Sequence, residues 1–290
     1  MMDFGRHGQC KETRPFLKEK TYAAFPGHRL SDPAYITPFS LTFLPSSHTL
    51  SGPDWKECVT DSKRTAARET ARQYLEKDDP LGWFEALYRM GRKDPSLIPW
   101  ADFRANPNLV RWLDDRAVPD PGRTALKIGC GLGDDAEELA ARGFTTTAFD
   151  ISPTAIDGCR VRFPGSRVRY VTANLFAAPS EWNRAFDLVV ESYTLQVLPD
   201  ALRARAVKHI ADFAASRGTL LVITRARDSG DHEGGMPWPL TRGELDLFRH
   251  HGLTEVNFED FTDTLETPPV RRFLAEYLRQ GPRTPDPPNT

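Results

Sequence analysis

Residues 124–152 read TALKIGCGLGDDAEELAARGFTTTAFDIS, and the fold follows from them. The apolar run from Thr124 to Cys130 predicts a strand. Gly129, Gly131 and Gly133 follow as a turn, Asp134 to Arg142 reads as a helix, and a second apolar run closes on Asp150. Strand, helix and strand in so short a span make a βαβ unit with parallel strands. The pattern continues at RVRYVTAN (167–174), AFDLVVESY (185–193) and GTLLVIT (218–224), with helical stretches at 153–162 and 200–215 between them. The fold class is therefore α/β, a doubly wound, mostly parallel sheet with helices on both faces. A further helix over 241–252 leads to LTEVNFEDF (253–261) and VRRFLAEYL (270–278). These two alternating segments, joined by a short proline-containing turn, predict a C-terminal antiparallel hairpin and bring the sheet to seven strands.

Glycine lets the chain turn sharply from strand to helix and lets a ligand lie against the backbone with no Cβ in the way. The spacing here is G-x-G-x-G, whereas a dinucleotide loop needs G-x-G-x-x-G. Asp134 and Asp135 at the helix start would also repel a pyrophosphate docked there. Asp150 ends the second strand about twenty residues beyond the loop, where a carboxylate accepts hydrogen bonds from two ribose hydroxyls. The combination calls for a nucleoside without a pyrophosphate, a description that S-adenosylmethionine meets.

Four stretches, KIGCGLGDD (127–135), AFDIS (148–152), VTANLF (171–176) and FDLVVESYTLQVLP (186–199), occur in the order and strand context of one family. With them, the segment from about Asp78 to Arg279 resembles the class I, seven-stranded S-adenosylmethionine-dependent methyltransferases, whose sheet also ends in a hairpin. More narrowly, IPWADFRANPNLVRWL (98–113), DISPTAI (150–156) and GMPWPLTRGEL (235–245) resemble the thiopurine methyltransferase-like branch, which methylates small thiols and related nucleophiles. The resemblance implies S-adenosylmethionine as cofactor, held by Gly129, Cys130, Gly131, Gly133, Asp150, Ile151, Asn174, Leu175 and Glu191. The expected acceptor pocket comprises Trp83, Tyr88, Trp100, Tyr193, Arg225 and Trp238, and the resemblance suggests that the first three fold over the cofactor and exclude water. Lys127 departs from the pattern, because many class I enzymes carry there an acid that helps hold the methionine ammonium.

Each residue also has a plainer reading. Asp150 can cap the helix beginning at Ser152 and Pro153, Asn174 can satisfy turn backbone, and Glu191 can order the loop after its strand. Trp83, Tyr88 and Trp100 can pack a helix onto the sheet edge. Arg225 and Arg227 can attract an anionic acceptor or stay solvated. Methyl transfer from a sulfonium is an in-line displacement that relies on positioning and water exclusion. A thiol supplies thiolate near neutral pH, so no catalytic base is assigned.

The remainder of the chain bounds these readings. Residues 1–60, rich in Pro, Ser and Gly, read as a poorly ordered extension. Residues 61–115 read as a helical cover, with helices at 62–77, 82–91 and after Asn106; 116–280 are the cofactor-binding domain and 281–290 a disordered tail. A net charge of −2 over 290 residues gives no basic field for nucleic acid. Four cysteines without a CxxC pair indicate neither a metal site nor a disulfide framework, and no apolar window is long enough to span a membrane. The expected setting is the cytoplasm, and the expected partner is a small-molecule methyl acceptor. Two rivals stand beside this reading: a methyltransferase-like binding or scaffold protein without activity, for which Lys127 speaks, and an NAD-dependent oxidoreductase on the same sheet.

Overall fold

Strand β1 (Thr124–Ile128) sends Leu126 and Ile128 into one apolar core and Ala125 into another on the opposite face. The same alternation divides β4 (Phe186–Ser192) into Val189 against Leu188 and Val190, and β5 (Ala214–Arg225) into Leu220 and Val222 against Leu221 and Ile223. Strands covered on both faces have no solvent side, which is why they read as unbroken apolar runs.

The computed structural model describes residues 55–117 and 120–281, with side chains from residue 64 onward, Ser96 apart. Together with β2 (Thr145–Asp150), β3 (Arg169–Thr172), β6 (Leu253–Asp263) and β7 (Val270–Arg279), these strands form one sheet in the order β3-β2-β1-β4-β5-β7-β6. The pairings from β3 to β5 are parallel. Strand β7 runs antiparallel between β5 and β6, so the terminal hairpin inserts its second strand next to β5. The strand order reverses between β1 and β4, and the loops leaving their carboxyl ends part to form the crevice in which open α/β sheets bind ligands.

The helices are α1 (Trp55–Leu75), α2 (Gly82–Gly91), α3 (Pro107–Asp114), α4 (Asp134–Ala141), α5 (Pro153–Arg162), α6 (Asp200–Phe213) and α7 (Arg242–Asp246). Helix α6 buries Ala206, Val207, Ile210 and Ala211 in the core that holds Phe149, Trp182 and Phe213. Full burial of Val207 and Ile210 contributes about 1.5–3 kcal/mol each. Helices α3 and α4 cover the other face through Leu109, Trp112, Leu113 and Leu139. Asn106 starts α3 by accepting the Asn108 N–H at its side chain (2.9 Å), with Pro107 at the first helical position.

Several boundaries differ from the sequence expectation, among them the start of β5 at Ala214, where the preceding helix was expected to run on to 215. Helix α1 begins at Trp55 rather than about Asp61, and the helix expected over 241–252 is α7 followed by a 3-10 stretch, Leu247–His251. Thr241 and Glu244 form a reciprocal capping box at the start of α7, and Gly252 at φ +77° closes the segment. The extension read over residues 1–60 lies outside the described residues as far as 54, and so does the tail from residue 282. No described helix is long and apolar enough to cross a membrane.

Candidate active site

Gly129 and Gly131 adopt φ of +53° and +56°, the left-handed region that glycine enters without strain. A Cβ at Gly129 would stand 2.4 Å from Thr194 Oγ1, and one at Gly131 2.9 Å from Tyr88 Oη. Backbone and neighbours therefore both demand glycine. The Gly131 N–H donates to Asp150 Oδ2 (2.9 Å) and the Ser152 N–H to Asp150 Oδ1 (2.9 Å), tying the loop to the end of β2. The cap of α5 is Ser152, whose Oγ accepts the Ala155 N–H (3.0 Å). Asp150 thus accepts one of these N–H groups on each oxygen, with the Ile151 N–H also drawn to it, and a carboxylate has about four lone-pair sites in all. Burial raises its carboxyl to about pKa 6, against the pull of those N–H groups and of Lys127.

Lys127 is 2% exposed and lines the cavity over the glycine loop. Its Nζ donates to Ile128 O (2.8 Å) and stands 3.6 Å from Asp135 Oδ2, while Asp135 Oδ1 accepts the Asn106 N–H (2.7 Å). An ammonium removed from water needs such a partner. The end of β1 and the start of α4 therefore present one cation and one anion side by side, flanking the glycine loop.

That cavity encloses about 520 Å³. Of the residues predicted to hold the cofactor, Gly129, Cys130, Gly131, Asp150, Ile151, Asn174 and Leu175 line it; of those predicted around the acceptor, Tyr88, Trp100, Tyr193 and Arg225 do. Asn174 also serves its turn, accepting the Phe176 N–H (2.9 Å). Tyr193, at φ +66°, is held in the left-handed region, and burial pushes its phenol up to about pKa 12.

Four predicted residues stand outside the cavity wall. Gly133 turns the chain into α4 at φ +94°. Glu191 is fully buried, and its Oε1 accepts the N–H groups of Thr194 (2.7 Å) and Leu195 (2.9 Å), so it orders the loop after β4. Burial raises its carboxyl to about pKa 7, and its Oε2 has no hydrogen-bond partner. Trp83 turns into the packing of α1 and α2 with Ala67, Ala71 and Leu87, and its neighbour Phe84 lines the cavity in its place. Trp238 donates its backbone N–H to Gln196 O (2.7 Å), and Met236 and Pro237 supply the wall.

The cover is held by a contact that sequence reasoning missed. Glu85 of α2 accepts hydrogen bonds from Ser152 Oγ (2.5 Å), Thr154 Oγ1 (2.8 Å) and the Thr154 N–H (3.2 Å) at the start of α5. A carboxylate at a helix N-terminus is favourable, and these donors outweigh burial to hold Glu85 below the usual carboxylate range. Tyr88, one turn along α2, thereby lies over Gly131 and accepts the Trp100 Nε1–H (2.8 Å). Also missed were Arg64, Asp263, Glu266 and Arg272 at the far end of the cavity. The available signal was the run of charge flanking the hairpin turn, which by itself reads as a solvated face.

Residues 125–218 match the family model described as a methyltransferase domain, about a third of the chain. A solved structure concerning the conversion of a disulfide bond into a thioacetal group during echinomycin biosynthesis superposes with a TM-score of 0.53 at 18% identity, over 64% of this chain and 85% of its own. The protein has the class I methyltransferase fold. An S-adenosylmethionine-dependent methyltransferase from Methanosarcina mazei shares this fold at TM-score 0.50 and 19% identity, over 61% of this chain and 99% of its own. So does the [4+2]-cyclase SpnF at 0.51 and 16%, over 60% and 80%, so the fold alone does not dictate the reaction. Among curated relatives, an uncharacterized methyltransferase of Mycobacterium tuberculosis is 31% identical over 107 residues, 37% of this chain and 53% of that protein. A ubiquinone biosynthesis O-methyltransferase of Nitrosomonas europaea is 29% identical over 108 residues, 37% of this chain and 45% of its own. The chain spans about half the length of these curated relatives.

Proposed function

We propose that this class I methyltransferase fold binds S-adenosylmethionine and transfers its methyl group to a small-molecule thiol. The observation that carries the reading is the complementarity of the cavity to that cofactor. Asp150 offers its carboxylate to a ribose diol, and Ala173, Leu175 and Phe176 supply an apolar wall for a flat base. Lys127 and Asp135 offer opposite charges to a zwitterionic amino-acid end, the carboxylate to the lysine and the ammonium to the aspartate. Asp134 and Asp135 at the start of α4 oppose a pyrophosphate, which weighs against a nicotinamide dinucleotide.

The bound cofactor supplies an activated methyl group with a good leaving group. The chain's share is to hold donor and acceptor in line and to keep water out, for which Tyr88 and Trp100 over the glycine loop are placed. No histidine lines the cavity among the described residues, and the acidic groups at its far end, Asp263 and Glu266, are engaged by arginines. A thiol, which ionises near neutrality and more readily beside cations, fits such a site better than an alcohol that needs a base.

The narrower kinship with the thiopurine methyltransferase-like enzymes draws support from Trp100, Asn106 and Met236, cavity residues within the stretches that carry the resemblance. In this reading residues 61–115 are a cover for the domain over 116–280, and the protein works in the cytoplasm on a freely diffusing acceptor. Incubation with methyl-labelled S-adenosylmethionine and matched thiols, amines and alcohols tests the reading. Label transferred preferentially to thiols supports it; transfer only to amines or alcohols overturns the acceptor, and no transfer to any class overturns the activity.

A further inference from the structure

Arg225, the last residue of β5, and Arg272 of β7 are direct cross-strand partners at the edge of the sheet that opens into the cavity. Like charges in such register repel, so something must hold them. Glu266, in the turn between β6 and β7, accepts from Arg225 Nη2 (3.1 Å) and from Arg272 Nη2, and Arg64 Nη2 of α1 approaches it at 3.6 Å. Asp263 takes the Arg272 Nε–H (2.7 Å) but also accepts from the Asn108 side chain and the Leu265 N–H. Three guanidiniums therefore converge on two carboxylates, one of them shared with neutral donors.

The balance is incomplete in a specific way. Arg272 has 1% of its side chain exposed, yet its Nη1 is buried with no hydrogen-bond partner. Arg225, 19% exposed, pairs only with Glu266 among the described residues. Burial, together with the neighbouring Arg64 and Arg272, holds its guanidinium below the usual range despite Glu266. Glu266 is the more accessible partner, 30% exposed, and is carried by a hairpin turn. Arg225 lies two strands across the sheet from the glycine loop, roughly 10 Å at the usual strand spacing. The cluster thus lines the same cavity as the glycine loop, across it from the expected cofactor position.

We propose that Arg225 and Arg272, supported by Arg64, bind a carboxylate carried by the methyl acceptor, and that Glu266 fills this position in the absence of the acceptor. The planar guanidinium fork matches a carboxylate in two parallel hydrogen bonds, and a carboxylate that takes the place of Glu266 would have the buried, unpaired Nη1 of Arg272 as a further donor. The proposal rests on the methyltransferase reading for the word acceptor, but the anion site itself does not.

The test is calorimetric titration of the full chain with 4-mercaptobenzoate and 4-mercaptobenzamide, each with and without saturating S-adenosylhomocysteine. The acid is expected to bind about tenfold or more tightly than the amide, as loss of a charge-assisted hydrogen bond dictates. Arg225→Gln is expected to erase that preference while keeping the thermal stability and S-adenosylhomocysteine affinity of the parent, and Glu266→Gln to strengthen binding of the acid. Equal binding of acid and amide, failure of both to bind, a preference that survives Arg225→Gln, or weaker acid binding in Glu266→Gln would each overturn the proposal. Preference for the acid without any binding of S-adenosylhomocysteine would leave the anion site standing and remove the cofactor reading instead.

Discussion

Lys127 Nζ lies 3.6 Å from Asp135 Oδ2 within the cavity wall, the lysine side chain 3% and the aspartate 14% exposed. Breaking a buried pair strands a charge, at a cost of about 3–5 kcal/mol. Lys127→Met and Asp135→Asn are each expected to lose stability on that scale in urea titrations. The double variant is expected to lose less than the two together, because neither charge is then left alone. Strict additivity would show that the two groups do not act as a pair.

Asp150 carries the second expectation. With its carboxyl at about pKa 6, the ionised form that accepts ribose hydroxyls fills as pH rises from 5 to 7. Affinity for S-adenosylhomocysteine should climb over that interval and then level, whereas Asp150→Asn should show no such climb. Asp150→Ala should weaken binding by about 1.5–3 kcal/mol, the scale of charge-assisted hydrogen bonds. A wild-type affinity that is flat from pH 5 to 7 would remove Asp150 from the ribose contact.

Glu191 predicts a pH dependence of stability rather than of binding. A carboxyl whose folded pKa is raised from 4.5 to about 7 holds its proton in the folded state while the unfolded chain has already lost it. Stability from this group is full below about pH 4.5 and is lost as pH climbs through 7. The fall amounts to about 3 kcal/mol. Denaturant midpoints measured between pH 4.5 and 8 should lose this slope in Glu191→Gln, whatever the baseline stability of that variant.

Gly131→Ala places a Cβ 2.9 Å from Tyr88 Oη on a backbone at φ +56°. It should lower the melting temperature and weaken cofactor binding. Tyr88→Phe in the same chain should restore part of both losses, because the hydroxyl contact is relieved while the backbone strain of about 1–2 kcal/mol remains. No recovery would mean that α2 does not rest on the loop.

The sheet was legible because its determinants are local. Fully buried strands such as 186–192 announce themselves as apolar runs, and helix starts at Asn106–Pro107 and Ser152–Pro153 carry their own capping chemistry. The glycine loop and Asp150 were legible for the same reason, being neighbours along one βαβ unit. Glu191 and Trp83 stand outside the cavity wall; their sequence position fixes the strand or helix they belong to but not which side of the wall they take. Glu85 reaching α5, and Arg64, Arg225, Glu266 and Arg272 meeting from α1, β5 and the hairpin, are contacts between distant segments. No periodicity encodes them; the arginine cluster exists only once the sheet order has brought β7 beside β5.

The central claim is that the crevice between β1 and β4 holds S-adenosylmethionine, and titration calorimetry of the full chain with S-adenosylhomocysteine tests it most directly. One-to-one binding that Asp150→Ala weakens at least tenfold is the predicted result. No heat together with no thermal shift, or binding that Asp150→Ala leaves unchanged, would contradict it.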